Sequence, residues 1–309
     1  MTLPLVTSGY GNGPPHRPGR RCRHPRPVAD AYLATLLGAE HASTRRTYGR
    51  ILRRVVTEFG AETLPDDIGA GRFAEWFGSQ WAGRSPSTWN VSLDAVRSAA
   101  AYWQRQGWLA GDLSRMLVPR RPRPDRDRAL SRSEVDQLLT RKDISLRERT
   151  LWRMLYETAA RSAEVLALDA GDLDLPDRCA RVRRKGGAID IIVWQTGTAR
   201  LLKGHTTGTV FVTERKARVP LPAADLDEHG RARLSYQQAA ALFTKASGRA
   251  TLHHLRHSAL AHDAEDGTGT PMLMARSGHT SVRSLAKYAR VSAEALARHQ
   301  AERDPTRRR

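Results

Sequence analysis

The stretch VPRRPRPDRDRALS, residues 118–131, separates two parts of the chain with different patterns and decides the architecture. It holds three prolines among alternating arginines and aspartates, a composition that favours an extended, solvated connector over a helix or a strand. The residues on either side carry the apolar periodicity of folded domains. The sequence therefore predicts two domains, residues 28–118 and 131–309, joined by a linker at 119–130.

The residues before the linker predict a bundle of four helices. In the second of them, Ser43 and Thr44 are the expected N-caps, and Gly60 is expected to end the helix. The fourth is expected to begin near Ser85 or Ser87. The four predicted helices cover roughly residues 28–40, 43–59, 68–82 and 85–107.

The residues after the linker predict a mainly helical domain that carries a small antiparallel β-sheet. Its first helix has Ser131 or Ser133 as the expected N-cap. Residues 179–194, CARVRRKGGAIDIIVW, alternate between apolar and polar around two glycines, which is typical of a β-hairpin. We expect residues 194–235 to be long and irregular. The predicted fold class is thus mainly α with a small antiparallel sheet.

The charge of the chain predicts a polyanionic partner. Lys and Arg number 51 against 32 Asp and Glu, a formal net charge of +19. Nucleic acid is the commonest partner of such a chain, although a solvated basic surface on an ordinary enzyme stays possible at this point. Only six of the basic residues are lysines, and arginine is the residue that binds phosphate oxygens with paired hydrogen bonds. Residues 1–27 contain five arginines and no acid, and predict a disordered basic tail.

Cysteine content and hydropathy exclude several classes of protein. Cys22 and Cys179 are the only cysteines, too few for a disulfide framework or a four-cysteine zinc site. No apolar run approaches the length of a membrane span, and no hydrophobic signal segment begins the sequence. We expect a reduced, cytoplasmic protein associated with the nucleoid, with no membrane partner.

Four features of the second domain follow one another in a suggestive order. Two of them contain arginines close to apolar residues at helical spacing. One is a lysine beside two glycines, and one pairs a histidine with a tyrosine nine residues later. They are YETAARSAEVLAL (156–168), Lys185, TLHHLRHSAL (251–260) and SGHTSVRSLAKYARVS (277–292).

This ordered set resembles the tyrosine recombinase (phage integrase) family. Its members carry an R-x-S-E-like segment, a lysine on a β-turn, H-x-L-R-H, G-H and a tyrosine nine places after that histidine. The resemblance covers roughly residues 28–300. It implies an N-terminal helical core-binding (SAM-like) domain and an α+β catalytic domain. It also implies site-specific DNA strand exchange through a covalent 3′-phosphotyrosine intermediate.

The resemblance assigns the nucleophile and the groups that hold the phosphate. Tyr288 is the expected nucleophile, which splits one displacement into two reversible steps; a lone tyrosine on a helix would more often anchor a core. Arg161 and Arg256 are expected to bind the non-bridging oxygens, where charge accumulates. Each of them could instead form a structural ion pair. Glu164 is expected to support the site through hydrogen bonds.

The remaining expected catalytic groups transfer protons or donate hydrogen bonds. His253 lies three residues before Arg256, hence on the same helix face, and His257 resembles the supporting histidine of the family motif. His279 is expected to bond to a transition-state oxygen. Lys185 is expected to protonate the departing 5′-oxygen, which requires neighbouring cations to lower its pKa. Each could also be structural: a core histidine, a helix-capping histidine or a solvated turn lysine.

The histidine cluster does not predict a metal site. No H-E-x-x-H motif is present, and no carboxylate or cysteine occupies ligand spacing beside it. We therefore expect neither a metal nor another cofactor. The chain departs from the family pattern at Asp263 and Glu265, where aliphatic residues are usual, and at Ser277, where leucine is usual.

The resemblance also implies partners. Double-stranded DNA is the expected substrate, bound by a homotetramer on two sites, with a monomer or dimer off DNA. Accessory DNA-bending proteins are a further expected partner. Two other functions stay open on the sequence alone. One is a topoisomerase IB-like or telomere-resolving enzyme, which rejoins its own strands. The other is a catalytically inactive, regulatory DNA-binding protein on the same scaffold.

Overall fold

The computed structural model of the chain falls into two compact units that divide between Pro122 and Arg123. The predicted tail at 1–27, most of the predicted linker and Lys185 lie outside the residues that it describes. Those residues are 28–38, 41–61, 63–121, 129–184, 186–202, 208–285, 288 and 293–304. Among them, no helix combines the length and the apolar character that a membrane crossing needs.

The regular elements described in the N-terminal unit are all helices, and its core is rich in aromatic side chains. The ring centroid of Phe77 lies 4.5 Å from that of Trp81 and 4.9 Å from that of Trp89, and all three side chains are buried. Offset and edge-on aromatic pairs of this kind stabilise a small core beyond the area that they bury. The helices are α1 (Val28–Leu33), α2 (Ala42–Phe59), α3 (Pro65–Ile68), α4 (Ala70–Trp81) and α5 (Pro86–Arg105).

Two predicted helix ends in this unit are confirmed, and one predicted start is wrong. Ser85 accepts a hydrogen bond from the Thr88 backbone N–H at the start of α5. Gly60 ends α2 with a φ of 94°, a conformation that suits glycine. The prediction of Ser43 and Thr44 as N-caps is wrong, because α2 begins at Ala42 and both residues lie inside its first turn.

The C-terminal unit is also mainly helical. Its core includes buried side chains of two long helices, Trp152 and Leu155 of Leu146–Thr158 and Leu255 of Leu252–Glu265. The helices are α6 (Arg132–Thr140), α7 (Leu146–Thr158), α8 (Ser162–Leu166), α9 (Thr196–Leu201), α10 (Tyr236–Ser247), α11 (Leu252–Glu265), α12 (Thr270–Ser277), α13 (Val282–Leu285) and α14 (Ala293–Arg303).

Helix starts in this unit follow the serine signals in the sequence. Ser131 caps α6, and Ser145 and Ser235 cap α7 and α10 in the same way. In each case the serine hydroxyl accepts from the backbone N–H three residues later, and the side chain of that third residue bonds back. Of the two serines predicted as the N-cap of α6, Ser131 and Ser133, the structure shows Ser131.

The predicted hairpin is confirmed as part of a three-stranded antiparallel sheet. Its strands are β1 (Leu173–Asp174), β2 (Cys179–Arg183) and β3 (Ile189–Val193), in the order β1-β2-β3. In the register of the hairpin, Cys179 pairs with Val193 and Arg183 with Ile189. The turn contains Gly186 and Gly187, with φ values of 90° and 87°. Few other residues adopt such angles, so the two glycines allow the tight reversal.

Residues 194–235 contain more structure than the sequence predicts. Besides α9, they form β4 (Val212–Lys216) and β5 (Arg231–Arg233), an antiparallel pair with an irregular register. The Asp227 carboxylate accepts backbone N–H groups of His229 and Arg231 in the connection between them. These strands are short and polar, so no apolar alternation marks them. The predicted fold class, mainly α with a small antiparallel sheet, is confirmed.

Candidate active site

Arg161 lies where the chain passes from α7 to α8. Helix α7 ends at Thr158, and the C-cap residue Ala159 adopts the left-handed conformation with a φ of 52°. Arg161 is extended and precedes α8 as its N-cap, so it does not lie within a helix. The Glu164 carboxylate accepts the Arg161 backbone N–H at 2.9 Å and its Nη1 at 2.7 Å. The Arg161 side chain stays 37% exposed while that of Glu164 is 5% exposed, so Arg161 is open to a ligand.

Arg256 is buried beneath this junction. It projects from α11, is 3% exposed, and donates from Nη1 to the Ala159 carbonyl and from Nη2 to the Ser277 carbonyl. Burial lowers the pKa of Arg256 to about 10, and the nearby Arg161 cation contributes to the shift. The group is still protonated at neutral pH. Arg256 therefore brings a fixed positive charge to the point where α7, α11 and α12 meet.

Three histidine rings and the ring of Tyr288 lie close together. The ring centroids of His253 and His257 are 4.5 Å apart, and those of His257 and Tyr288 are 5.1 Å apart. The His279 centroid is 6.2 Å from that of Tyr288. Tyr288 is 4% exposed, and its backbone N–H donates to Leu285 in a turn rather than in a continuing helix. A coulombic interaction with Tyr288 raises the pKa of Arg256 and so opposes the effect of burial.

His279 is held by a residue that the sequence marks only as a departure from the family pattern. Ser277 is fully buried at the end of α12, and its Oγ lies 2.7 Å from His279 Nδ1. Gly278 between them is left-handed, with a φ of 61°, and ends the helix. Because the Ser277 carbonyl also accepts from Arg256, one serine contacts both an expected phosphate-binding arginine and an expected hydrogen-bonding histidine.

Arg184 is a second residue of the site that sequence reasoning missed. It precedes Lys185, is 7% exposed, and donates from Nη1 to Glu164 at 2.7 Å and from Nε to Asp190 at 3.0 Å. No motif marks it in a chain so rich in arginine. The only available signal was its position at the start of a glycine-containing turn.

The predicted site residues of the described chain come together in this unit. The Glu164 carboxylate binds both Arg161 and Arg184. Arg256 lies against the passage from α7 to α8, where it donates to the Ala159 carbonyl. His254, by contrast, accepts the Thr251 backbone N–H at the start of α11 and belongs to the helix cap. Within the described ranges, no group of three or more histidine, cysteine or acidic side chains is arranged to hold a metal ion. The residues that meet are Arg161, Glu164, His253, Arg256, His257, His279 and Tyr288.

The departures at Asp263 and Glu265 leave α11 well packed. Asp263 pairs with Arg276 of α12, whose Nη2 also donates to the Glu157 carbonyl. Burial raises the pKa of the Asp263 carboxyl above its ordinary value, and Arg276 opposes that shift. An aliphatic position of the family is thus occupied here by a partly buried ion pair between neighbouring helices.

The N-terminal unit carries its own positive site. A concavity between α2 and α5 is lined by Arg50, Arg54 and Arg84, together with Ser87 at the start of α5. The Arg54 guanidinium lies 5.8 Å from the ring centroid of Trp81. Several arginines around a helix N-terminus form a surface that favours phosphate.

Comparison with known proteins identifies the family. The family model described as "Phage integrase family" matches residues 128–295, more than half of the chain. Tyrosine recombinase XerC of Mycobacterium leprae (strain TN) is 29% identical over 289 residues, which cover 86% of this chain and 94% of that protein. Tyrosine recombinase XerD of Mycobacterium tuberculosis (strain ATCC 25618 / H37Rv) is 26% identical over 293 residues, covering 82% and 89%.

Solved structures of similar fold include integrases bound to DNA. A lambda integrase dimer bound to a COC′ core site superposes with a TM-score of 0.64 at 15% identity, over 82% of this chain and 94% of that one. The Tn1549 transposon integrase in complex with circular intermediate DNA gives 0.61 at 16% identity, over 89% and 99%. These likenesses concern the fold. With the family match, they show that the chain belongs to the phage integrase family, as its motifs predicted.

Proposed function

We propose that this protein is a site-specific tyrosine recombinase that cleaves and rejoins double-stranded DNA. The observation that carries the proposal is the position of Tyr288. Its ring lies beside those of His257 and His279 and within the electrostatic reach of Arg256. A core tyrosine needs no such neighbours, whereas a nucleophile that attacks a phosphodiester needs cations and proton acceptors around it.

In the proposed first step, the Tyr288 hydroxyl oxygen attacks the scissile phosphorus. The bond from phosphorus to the 5′-oxygen breaks, a 3′-phosphotyrosine bond forms, and the strand leaves with a free 5′-hydroxyl. The phosphodiester energy is kept in the covalent link, so a 5′-hydroxyl from a second site can reverse the step without a nucleotide cofactor. Tyr288 is 4% exposed in the protein alone, so DNA binding has to uncover its hydroxyl before attack.

Two guanidiniums are proposed to stabilise the transition state. The non-bridging oxygens gain negative charge as the phosphorus becomes five-coordinate, and fixed cations lower that energy because they need no reorganisation. Arg256 is held by two carbonyls and Arg161 by Glu164, so both are oriented before DNA arrives. His279, oriented by Ser277, would donate a further hydrogen bond.

Two proton transfers accompany the proposed step, one from the attacking tyrosine hydroxyl and one to the departing 5′-oxygen. We infer that His253, supported by His257, accepts the proton from the tyrosine hydroxyl. Lys185 would give a proton to the departing 5′-oxygen. It follows Arg184 directly in the chain, and nearby cations would lower its pKa for that role.

DNA binding is proposed to involve both units. The arginines around the concavity of the N-terminal unit offer phosphate contacts, and a net charge of +19 supports strong, salt-dependent affinity. The similar integrases were solved with DNA, which supports duplex DNA as the substrate here. A homotetramer on two sites, action on nucleoid DNA in the cytoplasm, and help from DNA-bending proteins complete the proposal.

The proposal is tested with two differently labelled duplexes that carry the same candidate site, taken from the DNA that flanks the gene. Wild-type protein is expected to produce strands that join one label to the other, and Tyr288→Phe to produce none. Covalent adducts without exchanged strands would favour the topoisomerase-like or telomere-resolving enzyme. Binding without adducts on nicked duplexes of every flanking candidate would favour the regulatory DNA-binding protein and contradict the proposal.

A further inference from the structure

Arg184 begins the turn of the β2–β3 hairpin, and its side chain is almost completely buried. Its backbone N–H donates to the Ala188 carbonyl at 2.7 Å and closes the turn, which requires no particular side chain. A buried guanidinium is costly unless carboxylates and hydrogen-bond acceptors match it. The contacts of this side chain therefore need an explanation beyond the hairpin itself.

Two carboxylates from different elements bind this guanidinium. Nη1 donates to Glu164 Oε2 at 2.7 Å, and Nε donates to Asp190 Oδ2 at 3.0 Å. Glu164 also accepts Arg161 Nη1 on its other oxygen. One buried carboxylate thus lies between two guanidiniums. Without Arg184, the Glu164 charge would be balanced by Arg161 alone, and Arg161 would be drawn toward it and away from a phosphate.

The Arg184 guanidinium also lies against the backbone that precedes His279. A Cβ added at Gly278 would lie 2.6 Å from Arg184 Cζ and 2.7 Å from its Nε. Any side chain at position 278 would therefore displace this arginine. The same glycine is left-handed, so both the packing and the backbone conformation favour glycine here.

We propose that Arg184 is a positioning residue of the cleavage reaction, acting through Glu164 to orient Arg161. The close approach of Gly278 helps to hold the Arg184 guanidinium in this place. The inference rests on the proposed function. The described side-chain hydrogen bonds of Arg184 are those with Glu164 and Asp190, while its Nη2 is buried with no hydrogen-bond partner among the described residues.

The test compares two nicked duplexes that differ only at the scissile linkage, a phosphodiester in one and a methylphosphonate in the other. The methylphosphonate lacks the charged non-bridging oxygen, so its cleavage depends less on a guanidinium clamp. Arg184→Met is expected to slow single-turnover adduct formation about 100-fold on the phosphodiester, the loss typical of one misplaced oxyanion-binding group. On the methylphosphonate the loss is expected to be less than about tenfold.

Two further comparisons isolate the path through Arg161. In a double-mutant cycle, Arg161→Ala combined with Arg184→Met should lose no more than Arg161→Ala alone, because the two residues act through one contact. Arg184→Lys should give an intermediate loss, since an ammonium does not match the fork that spans two carboxylates. Arg183→Ala removes the exposed neighbouring arginine of β2 as a matched control and should retain adduct formation within about threefold.

Equal losses on the two duplexes, or additive losses in the cycle, would overturn the inference, because they would indicate an effect of Arg184 that does not pass through Arg161. Thermal unfolding shows whether each variant is folded. If Arg184→Met is not folded, Arg184→Lys replaces it in both comparisons, on the two duplexes and in the cycle with Arg161→Ala. Failure of wild-type protein to form an adduct contradicts the proposed function itself, whereas wild-type adducts with unaffected Arg184 variants contradict only this inference.

Discussion

Ser277 connects two groups of the proposed site through different atoms. Its backbone carbonyl accepts from Arg256, and its hydroxyl contacts His279 Nδ1 at 2.7 Å. Only the second contact needs a serine, because every residue has a carbonyl. A hydrogen bond at Nδ1 fixes the orientation of an imidazole ring and therefore the direction of its Nε2.

Ser277→Ala is expected to slow adduct formation about fivefold, the value of one hydrogen bond of about 1 kcal/mol, while DNA affinity stays unchanged. The Arg256 contact persists in the variant, so the loss belongs to His279. Single-turnover rates and binding isotherms on one nicked duplex measure the two quantities. Ser133→Ala, an exposed serine of α6, is the matched control. Weaker binding with an unchanged rate would contradict this account.

At the scale of residues, the sequence predicts which side chains react but not what holds them. His279 and Tyr288 lie within one sequence motif, and His253 and Arg256 lie within another. The spacing of each pair can therefore be read directly from the sequence. The supports of these groups come from elsewhere in the chain: Arg184 reaches Glu164 across 20 positions. Such pairs depend on how elements pack, and a single sequence of this composition does not mark one arginine among many.

At the scale of elements, α11 and the end of α7 carry several residues of the site. A hydrogen-bonded pair, partly buried, also joins these two helices away from the site. His262 of α11 is buried, and its Nδ1 lies 2.8 Å from the Tyr156 hydroxyl of α7. Burial lowers the pKa of His262 below its ordinary value, with the Arg132 cation adding to the effect and Glu265 and Asp266 opposing it. The imidazole is therefore held in its neutral form.

The stability of the C-terminal unit is expected to fall as the pH drops below about 6.5, the ordinary histidine pKa. The unfolded chain then binds a proton that the folded chain resists, so acid favours unfolding until the folded pKa is also passed. His262→Asn should reduce this loss, since its amide oxygen can accept from Tyr156 without titrating. Urea unfolding at pH 7.5 and 5.5 measures the free energies.

His229→Asn, which changes an exposed histidine beside Glu228, is the control and should keep the pH dependence of the wild type. An unchanged loss of stability in His262→Asn would assign the acid sensitivity to other groups, and would contradict the role of this buried histidine.

Elements with local start and stop signals were predictable, and those fixed by tertiary contacts were not. Ser85 and Ser131 mark helix starts because their hydroxyls bond to backbone only three residues away. The break at Ala159 has no such signal; the carbonyl of this left-handed residue is held by Arg256, nearly 100 positions later. Strands β4 and β5 also lack a local signal, because their pairing depends on contacts between separated residues. The sequence therefore predicts this region as irregular chain.

At the scale of the whole molecule, two units and an excess of arginine were both apparent from composition. The domain limits at 28, 118 and 131 stay predictions, and the structure divides the chain between Pro122 and Arg123. The charge is distributed over both units and residues 1–27. Each phosphate contact made by a basic side chain releases counterions, so the salt dependence of binding counts such contacts.

Replacement of the five arginines of residues 1–27 by glutamine is expected to weaken DNA binding and to flatten its salt dependence. If all five contact phosphate, the magnitude of the slope of log affinity against log salt falls by about 4.5. Fluorescence anisotropy between low and moderate salt measures the slope. Adduct formation at saturating DNA should stay unchanged, because none of these arginines is among the proposed catalytic groups. An unaltered slope would show that this segment does not contact DNA.

The most direct test of the central claim identifies the residue that carries the DNA. Wild-type protein is trapped on a nicked duplex, the DNA is digested, and the modified peptide is sequenced by mass spectrometry. The account predicts a nucleotide linked through its 3′-phosphate to Tyr288, a free 5′-hydroxyl on the other fragment, and no adduct from Tyr288→Phe. A nucleotide on another residue, or an adduct that persists in Tyr288→Phe, would contradict it.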